Sequence, residues 1–221
     1  MNYIENIYVC LAAPIVIAVL AVGRNPRRAM GFILGGMTVC LLSSYISTFL
    51  AAATGADAEA AAINISPIVE EIMKFLPVLF YMVVFEPKDR GRVIAAILMI
   101  AIGFATFENV CYLTQNGASQ LLFLVIRGFG TGTMHVVCGM IVAIGLLYMW
   151  EERWLRAFGI IGLLSLAMTY HGVYNMMVSQ TGTVAVAGYL IPMISALIIL
   201  ALKTRIFRPP AEEIADMRKP D

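Results

Sequence analysis

Seven apolar blocks, each about the length an α-helix needs to cross some 30 Å of hydrocarbon, decide what this chain can become. They lie near residues 4–22, 29–52, 67–85, 93–113, 121–149, 155–178 and 183–202, and little sequence remains between them. With 61% hydrophobic residues, 13% charged and a mean hydropathy of +0.86, an ordinary soluble domain is excluded. The expected fold is all-α: a polytopic membrane protein whose roughly seven transmembrane helices form one bundle over residues 1–208. Residues 209–221 are expected to be a short cytoplasmic tail. The first block has no basic run before it and no small-residue cleavage site after it, so it reads as a retained span.

Orientation follows from where the basic residues fall, because short loops rich in Lys and Arg stay in the cytoplasm. Of the 15 Lys and Arg, 13 lie in alternate connections: Arg24, Arg27 and Arg28; Lys88, Arg90 and Arg92; Arg153 and Arg156; and Lys203 onward. The connections near 53–66, 114–120 and 179–182 have none, and the first of them carries Asp57 and Glu59. The N-terminus is therefore expected outside and the C-terminus in the cytoplasm, in the plasma membrane. A formal net charge of +1 leaves no basic stripe for nucleic acid. Cys10, Cys40, Cys111 and Cys138 form no CxxC pair and are expected to behave as small apolar residues. Gly31-x-x-x-Gly35 and Gly159-x-x-Gly162 have the spacing of helix-packing sites. Oligomeric state is not written in the sequence.

The remaining two cations, Lys74 and Arg127, sit inside apolar blocks with Glu70, Glu71, Glu108, His135 and His171. Each ionisable group at a span centre costs about 2.5–3.5 kcal/mol on insertion scales, so these residues must face one another or a water-filled cavity. Glu70 and Glu71 lie four and three residues before Lys74, within reach of one ammonium. A second carboxylate beside such a pair leaves a negative charge uncompensated, which a purely structural ion pair avoids. Two adjacent carboxylates with one cation also divide naturally into an acid and a base.

Three further clusters accompany the first. Glu108 and Tyr112 share a helix face, so the phenol is placed to hydrogen-bond the carboxylate. Arg127 precedes Gly128, Gly130 and Gly132, which weaken the helix; the fifth span is expected to start near Thr133, with residues 118–126 re-entrant or interfacial and His135 near the outer end. His171 and Asn175 are again one turn apart, suited to a substrate oxyanion or a metal. Counted from the outward ends of their spans, all four clusters reach one level in the outer third of the membrane.

In order, Glu70-Glu71-x-x-Lys74, Phe107-Glu108-x-x-x-Tyr112, His135-x-x-x-Gly139 and His171-x-x-x-Asn175 resemble the motif set of the PrsW family of intramembrane proteases. The resemblance implies an endopeptidase that cuts a membrane-anchored protein near its extracytoplasmic side, as in site-1 cleavage of an anti-sigma factor. The related type II CAAX prenyl endopeptidases carry Glu-Glu-x-x-x-Arg; the Lys at shorter spacing here argues against a prenyl-protein substrate. Carried over by position, Glu70 or Glu71 would polarise the attacking water and Glu108 would share the proton. His135, His171 and Asn175 would hold the water or the oxyanion, with Lys74, Tyr112 and Arg127 in support. No cofactor is favoured, because a helix-borne His-Glu-x-x-His is absent; zinc stays open, with Glu71, Glu108, His135 and His171 as the ligand set. The alternative reading of the same cluster is a proton- or ion-coupled transporter.

Overall fold

The computed structural model describes residues 4–21, 23–87, 89–117, 121–149 and 153–206. The expected tail at 209–221 and Lys88 lie outside them. The described chain is helical: α1 (Ile4–Ala21), α2 (Arg24–Thr54), a short α3 (Ala58–Ala60), α4 (Ser66–Phe85), α5 (Arg90–Asn116), α6 (Leu121–Met149), α7 (Arg153–Val178) and α8 (Thr183–Ile206). The seven long helices coincide with the seven apolar blocks, and their short connections make successive helices antiparallel. Five of the seven, α1, α2, α5, α6 and α8, are long and apolar enough to cross a membrane by themselves. The other two, α4 and α7, carry Glu70, Glu71 and Lys74 and His171 and Asn175. The cost of these polar groups is offset only inside a bundle.

Helix α6 is the centre of that bundle. Of its most apolar stretch 61% is buried, against 6% for α1 and 17% for α8, and it packs on α5, α7 and α8. Phe104, Phe107, Ile100, Met134 and Met37 are among the largest fully buried side chains, where α2, α5 and α6 meet. Leu20, Phe49, Phe80, Val83, Phe129 and Leu197 are exposed on the outer surface, the arrangement required when the solvent is lipid.

Helix α6 corrects the expectation of a broken fifth span. It runs without interruption from Leu121 to Met149, about 43 Å, and puts His135 at its midpoint. Three glycines weaken a helix in water, but inside a bilayer an opened backbone finds no substitute donors or acceptors. Gly130 instead admits a neighbour, since a Cβ there would lie 2.7 Å from Tyr189 Cδ1 on α8.

The connection at 53–66 is also more ordered than a loop. Gly55 ends α2 in the left-handed conformation (φ 69°), and its N–H bonds Ala51 O. The Asp57 carboxylate caps α3 by accepting from Ala60 N at 2.8 Å. A π-helical turn, Ala61–Ile65, then leads into α4, so Pro67 lies within a longer helical run instead of opening it.

Close helix packing falls on glycines other than those expected. Gly31, Gly35 and Gly162 have open space where a side chain would stand. The tight crossing is between α2 and α5: a Cβ on Gly36 would lie 2.1 Å from Ile100 O, and one on Gly103 would lie 2.1 Å from Ile33 O. Backbone cannot yield as a side chain does. Gly103→Ala is expected to cost about 3 kcal/mol, the upper part of the overpacking range, in reversible unfolding in detergent. Gly35→Ala, in open space, is expected to leave stability unchanged or slightly raised.

Candidate active site

Four helices meet at a polar cluster inside the bundle. The Lys74 ammonium on α4 donates to Glu71 Oε1 at 2.6 Å, one helical turn back, and to His135 Nδ1 of α6 at 3.0 Å. From α7, His171 Nδ1 donates to the same Glu71 oxygen at 2.8 Å. Glu71, Lys74, His135 and His171 are all buried. Glu71 is thus an anion held by a cation and an imidazole N–H, the condition under which a buried carboxylate is tolerated.

These contacts fix the tautomer of His135 and the Nδ1 proton of His171. An ammonium only donates, so His135 Nδ1 is an acceptor, and its proton sits on Nε2, which donates to Glu108 Oε2. His171 gives its Nδ1 proton to Glu71, so in the neutral imidazole Nε2 carries the lone pair. That lone pair faces Glu70 Oε2 across 3.7 Å. Glu70 Oε2 is buried and has no hydrogen-bond partner. With both groups unprotonated, two acceptors face one another, and a shared proton, a water or a cation would satisfy them.

A second ion pair completes the floor. Arg127 Nη2 reaches Glu108 Oε1 at 3.5 Å, and Nη1 donates to Asn109 Oδ1, whose own amide donates to Gly128 O at 3.4 Å. Asn109 was not singled out in the sequence; the signal was its polarity beside Glu108 within an apolar block. Tyr112 meets this group differently from the expectation: the Arg127 guanidinium lies 3.5 Å from its ring centroid, a cation–π contact in place of a phenol–Glu108 bond. Phe104 closes the buried side, 4.9 Å from the His135 ring and 5.0 Å from Lys74 Nζ. Glu108, with its side chain 30% exposed, is the most open of the acidic groups here.

Each cation therefore has its own carboxylate, Lys74 with Glu71 and Arg127 with Glu108, and Glu70 is left over. Of the residues expected at the site, Glu70, Glu71, Lys74, Glu108, Arg127, His135 and His171 come together. Asn175 commits its side-chain N–H to the backbone carbonyl of Ala62, 2.9 Å away. Glu108 and His171 lie eight and seven residues from the ends of α5 and α7, but His135 is mid-helix, and Glu71 is thirteen residues from the start of the helical run at Ala58.

For a metal, the expected set of Glu71, Glu108, His135 and His171 is not the one that offers open donors, since both carboxylates are engaged. Among the described residues, the group whose ligand atoms converge, within 4.8 Å of one another, is Glu70, His135 and His171. One carboxylate and two imidazoles suit catalytic zinc, and the unpartnered Glu70 Oε2 beside the free His171 Nε2 is the kind of opening such an ion would fill. His135 would serve as third ligand only by giving up either Lys74 or Glu108.

A model of the family described as PrsW family intramembrane metalloprotease matches residues 26–202. That stretch covers α2 through most of α8 and contains every residue of the cluster. No match was found among curated proteins or solved structures.

Proposed function

The chain belongs to the PrsW family of intramembrane proteases, and from that premise we propose that it cleaves a membrane-anchored protein with a water held between Glu70 and His171. The observation that carries this reading is the 3.7 Å gap between Glu70 Oε2 and His171 Nε2, two acceptors suited to the two hydrogens of one water. Such a water has its oxygen lone pairs turned outward, toward a substrate carbonyl. Glu70, the carboxylate with no cation of its own, takes the proton as the oxygen attacks and passes it to the leaving nitrogen, so the hydrolysis balances. Glu71 holds His171 by its Nδ1 proton and keeps the Nε2 lone pair aimed at the water. Glu108, joined to His135 and Arg127 and partly open, holds charge at the mouth of the site. Bound zinc, held by Glu70, His135 and His171, would supply Lewis-acid polarisation and a more acidic water.

The basic connections at one end of the bundle support an orientation with the N-terminus outside and the C-terminus in the cytoplasm of a plasma membrane. The partly exposed Glu108, eight residues from the end of α5, then lies on the extracytoplasmic side of that helix, the side that site-1 cleavage of an anti-sigma-factor-like substrate requires. Purified protein in liposomes, given single-span substrates with and without a chelator, separates this reading from ion-coupled transport. We expect peptide products without proton or cation flux. Flux without products would reject it, and chelator loss restored by zinc would place the metal in the reaction.

A further inference from the structure

Asn175 lies one turn beyond His171, yet its amide is spent 113 positions away, on Ala62 O in the π-helical turn before α4. The reason is Pro67. In a π turn each carbonyl meets the N–H five residues on, as Ala61 O meets the N–H of Ser66. The next carbonyl, Ala62, would meet residue 67, which is proline and has no N–H. Pro67 therefore takes the regular donor from the Ala62 carbonyl.

Helix α7 covers this carbonyl. Asn175 Nδ2 donates to Ala62 O at 2.9 Å. Gly172 lies so near Ile63 O that a Cβ there would sit 3.2 Å from it. His171, Gly172 and Asn175 thus form one turn docked on the π turn before Pro67. Three and four residues after Pro67 come Glu70 and Glu71, the carboxylates that face His171 from that docked turn.

We propose that Asn175 is a positioning residue. Its amide replaces the N–H that Pro67 lacks, and so sets the depth and rotation at which α4 presents Glu70 and Glu71 to His171. Proline has a use here: it creates an unpaired carbonyl that a second helix can grip, which a continuous α-ladder would not offer. The inference rests on the protease reading, because it concerns the alignment of that site.

The test compares Asn175→Ala, Asn175→Asp and Asn175→Ala in a Pro67→Ala background, with cleavage kinetics and amide hydrogen exchange over residues 61–71. A carboxylate cannot donate to a carbonyl, so Asn175→Ala and Asn175→Asp are both expected to lower kcat by about 100-fold, the effect of roughly an ångström of misplacement, with KM held within about twofold. Pro67→Ala restores an N–H to the ladder, and in that background the loss from Asn175→Ala is expected to shrink to about fivefold or less. Exchange across 61–71 should rise in Asn175→Ala and return toward the Pro67→Ala level in the double variant. Activity retained by Asn175→Asp, a loss undiminished in the Pro67→Ala background, or unchanged exchange would each overturn the proposal. The exchange measurement does not depend on proteolysis, so a wild-type protein that cleaves nothing would count against the protease reading alone.

Discussion

Glu70→Gln is expected to reduce kcat by about 10³-fold, within the range for loss of a general base, while KM stays within about twofold. The side chain keeps its size and loses only the ability to take a proton. Nothing else in the cluster should move, because Glu70 Oε2 has no hydrogen-bond partner to release and both cations are engaged elsewhere. Thermal stability is expected to hold or rise, since the substitution removes the carboxylate that has no cation. Glu71→Gln is the instructive contrast. It also impairs turnover, but it loosens Lys74 and His171, so its loss comes with lower stability. Equal activity of Glu70→Gln and wild type would remove Glu70 from the chemistry.

Lys74→Met is expected to have the largest effect on folding. Its Nζ bridges Glu71 and His135, joining α4 to α6, and both partners are buried, with His135 at 0% exposure and Glu71 at 3%. Removing the ammonium leaves Glu71 with one imidazole N–H and leaves His135 Nδ1 with no donor. Breaking a buried pair on one side typically costs about 3–5 kcal/mol, and the same is expected here in reversible unfolding in mixed micelles. The double variant Lys74→Met, Glu71→Gln should recover part of that loss, because it no longer buries an unpaired charge. A loss below about 1 kcal/mol for the single variant would show that the pair is not the brace described here.

The helices were legible because the bilayer imposes a length, and the apolar blocks carry it directly. Even α4 and α7 could be placed, although their polar residues keep them out of the plainly apolar set. The site residues were legible for a related reason: Glu70, Glu71, Lys74, Glu108, Arg127, His135 and His171 are too costly to face lipid, so each had to face another. Which of them pair could not be read. Spacing on α4 allowed Lys74 to take either glutamate, and only the placement of His171, 100 positions away, shows why Glu71 is taken and Glu70 is left.

Local rules misled where tertiary context outweighs them. Glycines 128, 130 and 132 suggested a break in α6, but a helix at the centre of the bundle keeps its hydrogen bonds, and Gly130 serves Tyr189. Pro67 is the second residue of α4, yet Asp57 caps an earlier turn and the chain reaches Pro67 through a π turn. The tight crossing lies at Gly36 and Gly103, which belong to no recognisable spacing motif. It depends on how two helices cross, and one sequence does not carry that information.

The central claim is that this cluster hydrolyses a peptide bond with Glu70 as base. Mass-spectrometric mapping of the products from a single-span substrate, incubated in liposomes with wild type or Glu70→Gln, tests it most directly. The account predicts one new pair of termini, within the span or at its extracytoplasmic margin, made by wild type and nearly absent with Glu70→Gln. The same termini in equal yield from both proteins would contradict it.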